Sequence, residues 1–272
     1  KWGSSGTGDG QLGSPLGITI SPYSGFIYVV ENKNARIQGF AKDGTFITKW
    51  GSSGTGDEQF NVPCTITIDS SGNIYITDNN YIKKFTQNGA FITKWGGNGS
   101  SNGQFNGIQG IAIDSSGNIY VSDTGNNRIQ KFTSSGNFIT KWGNTGTGDG
   151  QFNSPRGIAI SPSGNVLIAD FSNARIQKFT SSGTFITKWW AGGKPDAIAV
   201  DTSENVYITN VINNYYIVMK FTSSGNTVAQ WGSQGTGDGQ FMETHGITVD
   251  SSGYVYVTDS QNNNVQVFKQ QQ

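Results

Sequence analysis

Side chains able to do chemistry are few in this sequence, and the scarcity narrows what the chain can do. Its 272 residues include one His, His245, and one Cys, Cys64. A lone His cannot supply a three-histidine zinc site, and a lone Cys allows neither an internal disulfide nor a multi-thiolate metal site. No metal or cofactor is expected. The remaining catalytic option is His245 as a general base, oriented by Asp196. Arg156 would oppose a cation beside that pair. The alternative is a polar plug, in which Arg156 and Asp196 pair and His245 bonds to backbone. Cys64 reads as a small filler rather than a nucleophile.

The composition sets the setting for these groups. Lys and Arg number 18, Asp and Glu 18, so the formal net charge is zero. That balance argues against nucleic-acid binding through a strong general field. Charged residues are only 13% of the chain, yet 7 Trp, 10 Tyr and 16 Phe provide material for a core, so the chain is not a disordered polar one. No run of about 18 apolar residues exists, which excludes a membrane-spanning helix.

The elements that position these groups are set by an internal repeat. Phe-Ile-Thr-Lys-Trp ends at Trp50, Trp95, Trp142 and Trp189, a degenerate copy ends at Trp231, and Lys1-Trp2 is the tail of another. Each unit opens with a Gly-rich stretch and then holds four short runs of β-branched and aromatic residues, separated by Gly, Ser, Asn and Asp. Such runs are strands joined by tight turns, and none has helical periodicity. Four antiparallel strands at a period of about 45 residues match the blade of a β-propeller. The expected fold is therefore all-β, a six-bladed propeller with blades near 3–50, 51–95, 96–142, 143–189, 190–231 and 232–272. The sixth unit stops at its third strand, so residues 1–2 close the last blade incompletely. A fragment or processed product of something longer is the favoured explanation.

Two copies, Gln104 to Phe132 and Gln151 to Phe179, run Gln-Phe, then Gly-Ile-Ala-Ile, Gly-Asn, Asp, Asn-x-Arg-Ile-Gln-Lys-Phe. This order resembles the NHL repeat, and weaker copies cover the rest of the chain. The marks of a WD40 repeat are missing. The resemblance implies a propeller without fixing one function, since such propellers include protein-binding and RNA-binding modules, sensor domains and a minority of lyases with central metal sites.

Comparing the six copies separates scaffold from candidate site. The repeated Trp residues read as packing between blade and loop rather than as a sugar-stacking ring. Asp78, Asp123, Asp170 and Asp259 follow the second strands. A calcium ring is one reading, and an Asp bonding to its own turn backbone is preferred. Asp9, Asp57, Asp149 and Asp238 read the same way. Lysines of the outer strands (Lys49, Lys94, Lys141, Lys188) and third strands (Lys84, Lys131, Lys178, Lys220) read as protection of exposed edges. A Gly-x-Gly-x-x-Gly pattern occurs with no helix after it, which argues against a dinucleotide site.

The differences mark the site. The residue opening each first strand is expected at the mouth of the central channel, and it is Leu16, Cys64, Gln109, Arg156, Asp196 and His245 in turn. Blade five has a shortened entry loop after Trp190 and a longer second loop, Val211-Ile212-Asn213-Asn214-Tyr215-Tyr216, while blade four carries Phe171. Val211 and Ile212 have a second reading, as cover for the space left by the short entry loop. Aromatic residues on loops of a rigid scaffold suit binding. The expected function is a non-catalytic binding module whose top face takes a protein segment or another ligand. A carbohydrate-binding propeller, an extracellular assembly unit and a lyase or hydrolase using His245 are the alternatives. RNA binding is disfavoured by top loops poor in basic residues. A weakly charged surface of Ser, Thr and Asn suits an extracellular or cell-surface setting.

Overall fold

In the computed structural model, which describes residues 1–269, alternating apolar residues and tight Gly turns build six small sheets around a channel. Five of these blade sheets have four antiparallel strands in sequence order and the sixth has three, and a short parallel pair, Ser233–Gln234 with Gln240–Phe241, lies in the entry loop of the sixth blade. Blade four shows the plan: Pro155–Ile160 lines the channel, followed outward by Val166–Asp170, Arg175–Phe179 and Phe185–Trp190. The second strand is buried at every residue, whereas the fourth alternates half-buried and exposed. The core therefore lies between blades, at the level of the second and third strands. No helix among the described residues is long and apolar enough to cross a membrane.

The Trp residues wedge neighbouring blades together. The Trp142 ring lies 6.3 Å from Tyr120 of its own blade and 6.0 Å from Phe179 of the next. It also sits under the turn glycine of that next blade, where a Cβ added to Gly183 would fall 2.6 Å from the indole. The sixth blade is closed by the N-terminus: Trp2 exchanges both backbone hydrogen bonds with Val265, at 3.0 and 2.9 Å. Trp2 thereby occupies the place that Trp50, Trp95, Trp142, Trp189 and Trp231 hold opposite Ile37, Ile82, Ile129, Ile176 and Val218.

Asp259 accepts the backbone N–H of Asn262 in its own turn at 3.2 Å, as expected, but the acidic residues ending the second strands of blades one to four do something other than cap their own turns. Asp170 is buried and accepts from Arg175 Nε at 2.7 Å, Asn173 Nδ2 at 2.9 Å and Gln177 Nε2 at 3.1 Å. Its other oxygen accepts the Asn153 N–H at 2.8 Å, and the Arg175 guanidinium donates onward to the carbonyls of Thr147, Gly148 and Gln151. Glu31–Arg36 and Asp123–Arg128 repeat this clasp, and Lys83 supplies the cation beside Asp78. In these four blades a guanidinium or ammonium already neutralises the carboxylate. In blades one to four the clasp adds side-chain ties between the Gly-rich entry loop and its blade to the backbone bonds already there, such as Ser172 N–H to the Asn153 carbonyl at 3.0 Å.

The entry-loop aspartates also differ from expectation, because they form ion pairs with the outer strands: Asp9–Lys49, Asp57–Lys94 and Asp149–Lys188, at 2.5, 2.5 and 2.6 Å. In blade three Asn102 stands at the Asp position. The third-strand lysines do not guard an edge, since that strand is paired on both sides. Lys84, Lys131 and Lys220 instead lie over Tyr75, Tyr120 and Tyr207, 4.9, 4.8 and 5.2 Å from the ring centroids.

Candidate functional site

Each first strand breaks register near its start. The pairing of Pro155 and Ile158 with Asp170 and Ile168 leaves Arg156 and Gly157 as a bulge, and the same shift occurs at Leu16, Cys64, Gln109, Asp196 and His245. A bulge re-aims its side chain, which explains why these six residues gather where the channel opens. The following residue packs against the adjacent blade: a Cβ on Gly157 would lie 2.7 Å from the Asp196 carbonyl. Gly there lets neighbouring first strands approach closely.

Around this mouth the six residues divide into two groups. Leu16, Cys64 and Gln109 line a small pocket of about 50 Å³, which Asp196 and His245 also reach. Cys64 Sγ lies 3.5 Å from Gln109 Oε1, and burial pushes the thiol up to about 12, with Asp196 adding to the effect. A thiol held so far above neutrality is not a nucleophile. Cys64 in the folded protein is expected to react with iodoacetamide at pH 7.5 more than tenfold slower than after denaturation, as measured by mass spectrometry over time.

The second group forms a cleft of about 570 Å³ above blades four to six. Arg156 Nη1 donates to Asp196 Oδ1 at 2.8 Å, and its guanidinium stacks 3.5 Å from the Phe171 centroid. The other Asp196 oxygen lies 3.1 Å from His245 Nδ1, and His245 Nε2 is 3.6 Å from Glu243 Oε1. His245 bonds to this carboxylate rather than to backbone as the plug would have it.

The charges in this row support one another. Burial alone would lift the Asp196 carboxyl, but the hydrogen bond from His245 and the charge of Arg156 outweigh it and hold the group below its ordinary range. Burial would likewise discharge His245. The hydrogen bond and charge of Asp196, with Glu243 behind them, instead raise it above its ordinary value. Tyr216 is also raised, first by burial and then by the charges of Glu243 and Asp196.

The rest of the cleft is apolar and aromatic. Trp190 is 72% exposed, and Val211, Ile212 and Tyr216 line the same space. Gly192 and Gly193 of the short entry loop lie against Met219 and Val211-Ile212, and a Cβ on Gly193 would meet the Val211 carbonyl at 2.5 Å. Ile212 packs on the blade-five core beside Ala191, so it covers the shortened loop and walls the cleft at once. Tyr215 stands apart, half exposed at the hairpin tip opposite Ile212 and outside the cleft lining.

Two charged lining residues, Lys194 and Glu243, lay outside the expected set. They occupy the same place in their repeats, two residues before Asp196 and His245, where other copies carry Ser14, Val62, Gly107 and Ser154. The divergence that marks the mouth residues extends to this position too. Lys194 Nζ lies 5.7 Å from the Phe171 centroid. Among the described residues no group of three or more His, Cys, Asp and Glu is placed to share a metal ion.

The NHL repeat model matches residues 105–132, 152–179 and 241–268. Each match opens on the fully buried Phe of an entry loop and ends on a Phe at or next to the end of a third strand. No curated protein matches the chain in sequence. Among solved structures, a streptogramin B lyase superposes with a TM-score of 0.68 at 17% identity, over 100% of this chain and 87% of that one. Virginiamycin B lyase from Staphylococcus aureus gives 0.65 at 20%, over 95% and 85%. A gluconolactonase from Xanthomonas campestris gives 0.69 at 13%, over 93% and 85%. At these identities the likeness is one of fold. The chain is thus a six-bladed β-propeller in which three blades, the third, fourth and sixth, carry sequences that match the NHL repeat.

Proposed function

We propose that this propeller is a binding module that holds an extended segment of a partner protein in the cleft above blades four to six. The observation that carries the reading is the pairing of two unlike walls. Trp190, Tyr216 and Val211 present aromatic and apolar surface, and Arg156, Asp196, His245 and Glu243 face it as a row already fixed by its own contacts. A fixed polar row selects a ligand without first being ordered, and an aromatic wall anchors it. The weakly charged surface of Ser, Thr and Asn turns suits an extracellular or cell-surface location.

A second reading rests on the Asp196–His245 contact. With Nδ1 held by a carboxylate and Nε2 turned toward Glu243, His245 has the arrangement of a general acid, and the superposable structures include lyases. The raised His245 favours the protonated imidazole, which suits a polar contact as well as an acid.

The test is a displayed peptide library selected on the intact protein, with a glycan array in parallel. Trp190→Ala and Tyr216→Ala should each weaken selected peptides about tenfold or more, with melting unchanged within a few degrees. Undiminished binding by both variants rejects the site. Glycans bound in place of peptides would turn the cleft into a sugar site.

A further inference from the structure

We infer that a pocket on blade two, apart from the cleft above blades four to six, receives the carboxamide side chain of a Gln or Asn of a partner protein. It is a cavity of about 330 Å³ whose lining includes Thr55, Asp78, Asn79, Tyr81, Lys83 and Lys94.

The other blades show what fills this place. In blade three Asn126 Nδ2 carries two hydrogens to two acceptors, the Gly99 carbonyl and Asp123 Oδ2, both at 2.9 Å. Arg128 Nη1 donates to the next carbonyl, that of Ser100, at 2.6 Å. Asn173 and Arg175 make the same bonds to Gly146, Asp170 and Thr147. Asn34 and Arg36 make them to Gly6, Glu31 and Thr7.

Blade two lacks both donors because its hairpin is shorter: Asp78 pairs with Tyr81, three residues on, where Asp123 pairs with Arg128, five residues on. No residue corresponds to Asn126, and Tyr81, 43% exposed, stands in the place of Arg128. Lys83 replaces only part of the lost set. Its ammonium lies 3.0 Å from Asp78 Oδ2 and donates to the Gly56 and Gln59 carbonyls. The Gly54 and Thr55 carbonyls, equivalent to those of Gly99 and Ser100, accept no hydrogen bond among the described residues.

The acceptors left over select the ligand. Reaching both the Gly54 carbonyl and Asp78, as Asn126 reaches their counterparts, takes one nitrogen bearing two hydrogens, and a hydroxyl or a backbone N–H has only one. A guanidinium or ammonium offers enough hydrogens. Lys83 already neutralises Asp78, however, and Lys94 pairs with Asp57, so a further cation would find no countercharge. A neutral primary amide meets both conditions, and the Tyr81 ring would pack on the methylenes that carry it.

The probe is the capped residue acetyl-Gln-N-methylamide, titrated into the isotope-labelled whole chain and followed by NMR. The backbone N–H signals of Thr55, Asn79 and Tyr81 should shift saturably, with a Kd on the order of millimolar. The matching Glu and Arg probes should bind about tenfold weaker or less well still. Thr-Gly-Asn-Asn-Arg, the sequence of residues 124–128, grafted in place of residues 79–81 together with Lys83→Gln, rebuilds the blade-three clasp. That graft should fold, melt no lower than the parent and lose binding. Tyr81→Ala tests the pocket without altering the hairpin length and should weaken the Gln probe about threefold or more. Four results each overturn the proposal: no saturable shift at about 0.1 M probe, Glu or Arg binding as tightly as Gln, full affinity in Tyr81→Ala, or a folded graft that still binds.

Discussion

Replacing Arg175 with Ala lowers the stability of the propeller by roughly 3–5 kcal/mol, the cost of stranding one member of a buried ion pair. Asp170 has no exposed side-chain surface and Arg175 is nearly as buried. The guanidinium satisfies the carboxylate at 2.7 Å and three loop carbonyls besides. Alanine would leave all of these in a space from which water is largely excluded. Denaturant titration followed by Trp fluorescence should show the transition midpoint fall with little change in slope. Lys188→Ala is the comparison, because the Lys188–Asp149 pair is about half exposed on both sides and should be close to neutral. An Arg175→Ala protein as stable as the Lys188→Ala protein would show that the clasp does not hold the entry loop.

Asp196→Asn should cost up to about 3 kcal/mol and change the titration of His245 at the same time. Asp196 accepts from both Arg156 and His245, so one carboxylate neutralises two cations at the cleft floor. With that charge removed, burial becomes the dominant influence on His245, and its value should fall below the ordinary 6.5 from its raised position. NMR of the imidazole reads this directly. An unchanged His245 titration in Asp196→Asn would mean that the contact does not couple the two groups.

The pH dependence follows with definite signs. A raised His245 contributes stability that is complete below about 6.5 and is lost as pH rises through its folded value. A lowered Asp196 contributes stability present above about 3.8 and lost as pH falls through its folded value. The polar row is therefore best held in mildly acidic solution. Binding in the cleft should change across the His245 titration and not above it.

The repeat made the scaffold legible before any coordinates, because each blade restates the same strands, turns and wedge Trp six times or nearly so. Period-two alternation and Gly turns are local properties, and copies of a local property can be read side by side. The one-residue divergence at the channel mouth was legible for the same reason. Arg156, Phe171, Trp190, Asp196, Val211, Ile212, Tyr216 and His245 all line one cleft. Tyr215 falls outside it, half exposed at the hairpin tip, and a loop read as a string does not say which of its residues reach the cleft.

What the sequence by itself determined is the number of blades, the run of strands in each, and which positions depart from the common plan. These depend on contacts between neighbours along the chain, whose spacing is fixed by the period of a strand. The tertiary structure alone decided the partners of the charges. Asp170 turned to Arg175 and the entry loop, Asp149 to an outer-strand lysine, and Asp196 to groups 40 and 49 residues away. Charge pairing acts through space over a few ångströms and has no period along the chain, so it is settled only once the blades close into a ring.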